Sequence, residues 1–148
     1  MRRIMLIGAV GSGKSSLIRA LLEHEHQVVK TQSLVYHDNL IDTPGEYTEN
    51  PLFYRSLMAT SHQAAAVLLV QDATKDRNAF PPGFAGGFPV PTFGAITKID
   101  HLDANSDQAI TLLRQALTEG AIFPTSAHSN RGIKELQAHL AQFMDKQK

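Results

Sequence analysis

The 148-residue sequence has no cysteine. Without thiols there is no disulfide and no thiolate metal site. No apolar run approaches the roughly 18 residues of a membrane span. The run near the N-terminus, "IMLI", stops at Gly8, which is too short for the apolar stretch of a signal peptide. Neither sign of charge dominates. Fourteen basic residues balance fourteen acidic ones, so the formal net charge is zero. That balance speaks against a nucleic-acid binder that relies on a basic surface. We expect a soluble, cytoplasmic protein with neither a membrane nor a nucleic acid as partner. Apolar residues make up 43%, enough for a full core, and the length suits one domain spanning 1–148. No internal repeat and no linker interrupts it.

Apolar runs alternate with amphipathic segments. "RIMLIG" (3–8), "AAAVLLVQD" (64–72), "PTFGAIT" (91–97) and "AIFPTSA" (121–127) read as buried strands. "QSLVYHDNLID" (32–42) reads as two short strands around a tight turn at His37-Asp38-Asn39. Helical spacing begins near Lys14, with Leu17, Ile18, Leu21 and Leu22 on one face. It recurs over 50–62 (Leu52, Phe53, Leu57 and Met58 inward), 104–118 (Ile110, Leu113, Leu117) and 131–145 (Ile133, Leu136, Leu140, Phe143). Strands alternating with helices predict an α/β, doubly wound, mostly parallel six-stranded sheet with helices on both faces. Residues 78–91, "NAFPPGFAGGFPVP", are too rich in proline and glycine for a regular helix. Their phenylalanines, Phe80, Phe84 and Phe88, suit either the core or an exposed patch for a partner.

The stretch "GAVGSGKS" (8–15) fits G-x-x-x-x-G-K-[ST] in full, between a predicted strand and a predicted helix. Triphosphate oxygens are met by several backbone N–H groups at once, and side chains would block that approach. Glycine removes Cβ and permits positive φ. The wrapped amides form an anion nest at the positive end of the helix. Gly8, Ala9, Val10, Gly11, Ser12, Gly13, Lys14, Ser15 and Ser16 are therefore the expected nucleotide-binding residues. Lys14 would bridge the β- and γ-phosphates, and the Ser15 hydroxyl would ligate Mg²⁺.

Further motifs follow at predicted strand ends. In "IDTPGE" (41–46), Asp42 is placed to hold Mg²⁺ and the Gly45 N–H to meet the γ-phosphate, as a nucleotide-state sensor does. In "TKID" (97–100), the Asp100 carboxylate can accept from the N1–H and 2-amino group of guanine, whereas adenine offers it a mismatch. Buried polar pairing of this kind discriminates steeply. Thr97 begins this stretch, and the Lys98 stem can lie along the base. In "TSAHSNRG" (125–132), Ser126 and Ala127 can present a backbone N–H to guanine O6, and Gly132 lets the chain turn into the last helix. The seven histidines are scattered, and no transition-metal site is expected.

Together and in this order, the motifs resemble the small GTPase superfamily of P-loop proteins, over nearly the whole chain. Within it the sequence is similar to the ethanolamine-utilisation P / propanediol-utilisation V family. That likeness rests on "KTQ" (30–32), "DTPGEYTEN" (42–50), "FPPGFAGGF" (80–88) and "TKID". It implies a G domain that takes GTP with Mg²⁺, and association with shell or enzyme proteins of a bacterial microcompartment. It also implies a first-switch threonine that joins Mg²⁺, for which Thr31 is the match. Lys14, Glu46 and Thr31 are the catalytic candidates. Thr97 stands where the superfamily has Asn, and Glu46 where Ras-like members have a water-orienting Gln. No arginine sits in the phosphate loop, and Arg77 is a weak candidate for a finger in cis. The expected function is a Mg²⁺-dependent GTP-binding protein with slow hydrolysis. Its rivals are a kinase that passes a phosphoryl group to a small carboxylate such as acetate, and a non-catalytic docking module for the shell.

Overall fold

A computed structural model describes residues 3–26 and 39–144, the side chains of 23–26 excepted. The chain begins with strand β1 (Ile4–Ile7), the phosphate-loop stretch, helix α1 (Lys14–His26) and strand β2 (Leu40–Asp42). Helix α2 (Gly45–Glu49), a 3₁₀ turn (Pro51–Phe53) and helix α3 (Tyr54–Ser61) lead to strand β3 (Ala66–Asp72). After residues 73–91 come strand β4 (Thr92–Thr97), helix α4 (Ser106–Ala116), strand β5 (Ile122–Pro124) and helix α5 (Ile133–Ala141). No helix among the described residues is long and apolar enough to cross a membrane.

The sheet has five described strands in the order β2-β1-β3-β4-β5, and every pairing is parallel. Six strands are expected from the sequence. The first of the two strands assigned to 32–42 lies outside the described residues, and the second is β2. The strand order reverses at β1, so a crevice opens at the carboxyl ends of β1 and β3, where open α/β sheets bind ligands.

The central strands are apolar throughout because both faces are covered. Met5, Ile7, Val67, Leu69 and Ile96 point to one face, under Leu57 of α3 and Ala109 and Leu113 of α4. Ile4, Leu6, Leu68, Val70 and Ala95 point to the other, under Leu17 and Leu21 of α1 and Ile133, Leu136 and Leu140 of α5. Helix α4 starts where Asn105 caps it, its side-chain oxygen accepting the Gln108 N–H at 3.0 Å. Helix α5 starts after Gly132, whose φ is +75°. A Cβ there would stand 2.1 Å from the Pro124 carbonyl oxygen, so the turn demands glycine.

One reading changes and one open alternative is decided. The expected helix over 50–62 is a 3₁₀ turn followed by α3, and Leu52 is 84% exposed rather than inward. The Asn50 side chain accepts the Leu52 N–H and Pro51 opens the turn, so the α period restarts at Tyr54 and carries Leu57 to the core. The second concerns the phenylalanines of 78–91. Phe80, Phe84 and Phe88 are only 3%, 5% and 8% exposed and pack ring against ring on the α3/α4 side of the sheet. They belong to the core and offer no aromatic patch for docking. The segment holds a 3₁₀ turn at Phe84–Gly87, and the Gly83 N–H donates to the Gln115 carbonyl at 2.8 Å.

Phe84→Ala is accordingly expected to destabilise the fold by about 3–5 kcal/mol in urea unfolding, the range for emptying a buried aromatic site. Leu102→Ala, at a fully exposed position, is expected to change stability by less than about 0.5 kcal/mol.

Candidate functional site

The sequence motifs converge at the carboxyl edge of the sheet. Gly8 to Gly13 link β1 to α1, and Gly11 and Gly13 take φ of +80° and +92°. Ala9, Val10, Gly11, Gly13, Lys14, Ser15, Ser16, Gly45 and Lys98 line a cavity of about 400 Å³ around this loop. Next to it, Gly13, Ser16, Thr97, Lys98, Asp100, Ser126 and Ala127, with Arg19, Ala20 and His128, line a second of about 470 Å³. The first lies at the amino end of α1, where loop amides and the helix dipole favour anions. The second is edged by the predicted base-reading residues. Gly8 and Ser12 line neither cavity. A Cβ on Gly8 would stand 2.7 Å from the Ser12 hydroxyl oxygen, and Ser12 is buried beneath the loop.

Lys14 is largely buried, and its ammonium donates to the Asp42 carboxylate and, at 2.6 Å, to the Thr43 carbonyl. The Thr43 hydroxyl donates back to the Leu6 carbonyl at 2.8 Å, so the D-T-P-G stretch is fastened to β1. Asp42 stands beside Lys14 and lines neither cavity. Gly45 touches the phosphate loop: a Cβ there would come within 2.6 Å of the Val10 nitrogen. Only glycine admits that approach. Glu46 is exposed, with no hydrogen bond or ion pair among the described residues. The carboxylate that does reach the loop is Glu49, three residues on in α2, whose Oε2 accepts the Val10 N–H at 2.9 Å. Thr31 lies outside the described residues.

The T-K-I-D stretch is tied to the phosphate loop. The Thr97 hydroxyl donates to the Ser12 carbonyl at 2.5 Å. Threonine thus braces the loop as the superfamily's asparagine would, though its single O–H is then used. Lys98 donates to the Gly11 carbonyl and to Asp72 Oδ2, both at 2.8 Å. Its backbone is left-handed, with φ +64°, a conformation that costs a non-glycine residue about 1–3 kcal/mol. These two bonds hold it there. The Ile99 N–H reaches the Thr125 carbonyl at 3.2 Å, which sets Asp100 beside Ser126. The Ser126 hydroxyl donates to the Asp100 carboxylate and, against a smaller contrary effect of desolvation, holds its pKa below the usual range. The ionised form of Asp100 is thereby favoured.

Glu49 and Asp72 were not singled out in the sequence. Asp72 ends the most apolar strand, a polar residue at a carboxyl edge, and that position was the available signal. Burial raises its pKa, but hydrogen bonds from Lys98 and from the Thr74 hydroxyl and N–H, with the Lys98 charge, bring the net value below 3.8. A carboxylate with a lowered folded pKa stabilises the fold above its unfolded pKa. That contribution is lost as pH falls through the folded value. Asp72→Asn is therefore expected to lower unfolding free energy by about 1–3 kcal/mol at pH 7, the scale of hydrogen bonds to a charged group. The gap to the unmodified protein should close as the pH is taken below about 3.8. A gap that persists at low pH would assign the loss to packing instead.

Comparison with known proteins places this arrangement. The family model described as "Ethanolamine utilisation - propanediol utilisation" matches residues 1–142. The chain is 38% identical over 139 residues to the propanediol utilization protein PduV of Citrobacter freundii, covering 92% of this chain and 91% of that one. It is 31% identical over 143 residues to a protein of Escherichia coli K12 named "Probable acetate kinase EutP", covering 95% and 90%. Among solved structures it resembles the cytosolic domain of the Thermotoga maritima FeoB iron transporter in its GMPPNP form. The TM-score is 0.63 at 18% identity, over 100% of this chain and 65% of that one. That last likeness concerns the fold, an α/β P-loop GTPase fold. The family match, over nearly the whole length, goes further: this chain belongs to the PduV–EutP family of ethanolamine and propanediol utilisation.

Proposed function

We propose that the chain is a Mg²⁺-dependent GTP-binding protein with slow intrinsic hydrolysis, serving a bacterial microcompartment. The observation that carries the nucleotide reading is the pair of adjoining cavities. One is walled by bare phosphate-loop backbone and the other by Asp100, Ser126 and Ala127. The residues suit the ligand. The Lys14 ammonium already holds anionic and carbonyl oxygen, the Asp42 side chain is half exposed beside it, and Ser15 lines the phosphate cavity. Ser15 and Asp42, with Thr31, would hold Mg²⁺, which supplies neutralising charge between the phosphates. The chain's own part is positional. Loop amides orient the phosphates, Lys14 spreads its charge across them, and Asp100 accepts from guanine and disfavours adenine. The microcompartment role rests on the family alone.

Slow hydrolysis is inferred from what surrounds Val10 and Gly45. Glu49 brings negative charge to the phosphate loop, Glu46 follows Gly45 in the same helix, and a carboxylate only accepts hydrogen bonds. A cationic finger is worth roughly 10³–10⁵ in rate. Among the described residues no arginine lines the phosphate cavity, and Arg77 lines a different one. A second reading, phosphoryl transfer to a small carboxylate, is favoured by one contact. The Glu49 carboxylate rests on the Val10 N–H, so the loop already receives a carboxylate there. The named relative described as a probable acetate kinase fits the same reading.

Lys14→Ala is expected to weaken GTP binding by at least about tenfold in direct titration, because charge-assisted contacts to phosphate are lost. Asp100→Asn is expected to cut the preference for GTP and raise relative affinity for XTP, since the amide donates to the xanthine O2. Unchanged affinities in both variants would sink the nucleotide reading.

Turnover of the isolated protein is expected at about 10⁻⁴–10⁻² s⁻¹. Glu46→Gln should raise it modestly and leave GTP affinity nearly unchanged. A large fall in that variant's rate would make Glu46 the water-positioning base.

A further inference from the structure

A third cavity, of about 290 Å³, adjoins the phosphate loop. It shares Ala9, Val10 and Gly11 with the phosphate cavity and none of its lining with the base cavity. Beyond the phosphate-loop residues that line it, nucleotide binding as derived above makes no use of it. Its charged lining consists of Glu49, Asp72, Lys75 and Arg77. Asp72 is committed to Lys98 and Thr74. Lys75 and Arg77 have no ion pair among the described residues. The wall that carries them is stiff. Gln71 Nε2 donates to the Arg77 carbonyl at 3.2 Å, Asn78 donates to the Leu112 carbonyl, and Asn78 Oδ1 accepts the Phe80 N–H at 3.0 Å.

Two observations point to a ligand. Ser12 is one of the lining residues, and its hydroxyl, in a residue only 5% exposed, is buried with no hydrogen-bond partner among the described residues. Such a group costs free energy until something accepts from it or donates to it. The Val10 N–H does have a partner, and it is a carboxylate, that of the exposed side chain of Glu49. Glu49 is thus a tethered stand-in for an anion at the seam between this cavity and the phosphate cavity.

We propose that this cavity seats a small carboxylate anion, which displaces Glu49 from the Val10 N–H and is held by Lys75, Arg77 and the Ser12 hydroxyl. A monoanion suits the site better than a dianion, because the Asp72 carboxylate stands in the same wall. The inference rests on the phosphoryl-transfer reading and names where its acceptor sits. One carboxylate oxygen forms a bond to the γ-phosphorus, and the bond from that phosphorus to the β–γ bridging oxygen breaks. The electron pair leaves with the nucleoside diphosphate. The products are an acyl phosphate and the diphosphate; no proton, oxidant or reductant is required.

The test is titration of the full-length protein with sodium acetate, followed by NMR, with and without GMPPNP and Mg²⁺. Saturable acetate binding is expected. The Lys75→Ala/Arg77→Ala double variant should weaken it at least about tenfold, the loss of charge-assisted contacts, with GMPPNP affinity within about threefold of the original. Glu49→Ala should tighten acetate binding, which a purely structural glutamate would not do. Trapping with hydroxylamine should show acyl phosphate from GTP and acetate, diminished in the double variant. Acetate binding unaltered in the double variant would overturn the proposal. So would its absence in the unmodified protein while GMPPNP still binds, with the nucleotide reading intact. Failure of GMPPNP to bind would count against the nucleotide reading, and the titration without nucleotide would still decide the acetate site.

Discussion

The phosphate loop is held in shape from outside itself. Its backbone is largely bare, two of its glycines have positive φ, and it has few side chains to pack. The Thr97 hydroxyl on the Ser12 carbonyl and the Lys98 ammonium on the Gly11 carbonyl supply the missing constraint. Both come from the carboxyl end of β4, two strands away from β1 in the sheet. The register of β1, β3 and β4 therefore decides whether the loop is formed. The same two residues open the T-K-I-D stretch, so bracing the loop and placing Asp100 are one structural act.

Asp72 extends this arrangement. It is buried at the end of β3, between the other two strands, and ties Lys98 into the strained left-handed conformation that turns the chain toward Asp100. Strain at a site persists where the surroundings over-determine it. Here an ion pair, two Thr74 contacts and a carbonyl do so.

Carboxylates crowd the other side of the loop. Asp42 takes the Lys14 ammonium, and Glu49 takes the Val10 amide. Both occupy donors that suit anionic oxygens. A site so arranged exchanges intramolecular carboxylates for ligand oxygens when it binds, which lowers net affinity and keeps buried donors satisfied meanwhile. On the proposed nucleotide reading it would also disfavour water activation, since added negative charge near a polyanion opposes it.

Much of this was legible in the residues. The strands and the amphipathic helices α1, α4 and α5 follow from apolar runs and from i, i+3, i+4 spacing, which are local properties. The phosphate loop, the D-T-P-G stretch and T-K-I-D announce themselves because backbone approach, positive φ and guanine pairing each demand particular residues. Tertiary packing decided the rest. It turned Leu52 outward through the Asn50 cap, and it put Phe80, Phe84 and Phe88 in the core although their segment is too rich in proline and glycine for a regular helix. It brought Glu49 to Val10 and Asp72 to Lys98, pairs 39 and 26 residues apart. No local pattern encodes such contacts. They exist because parallel strands bring all their carboxyl ends to one edge.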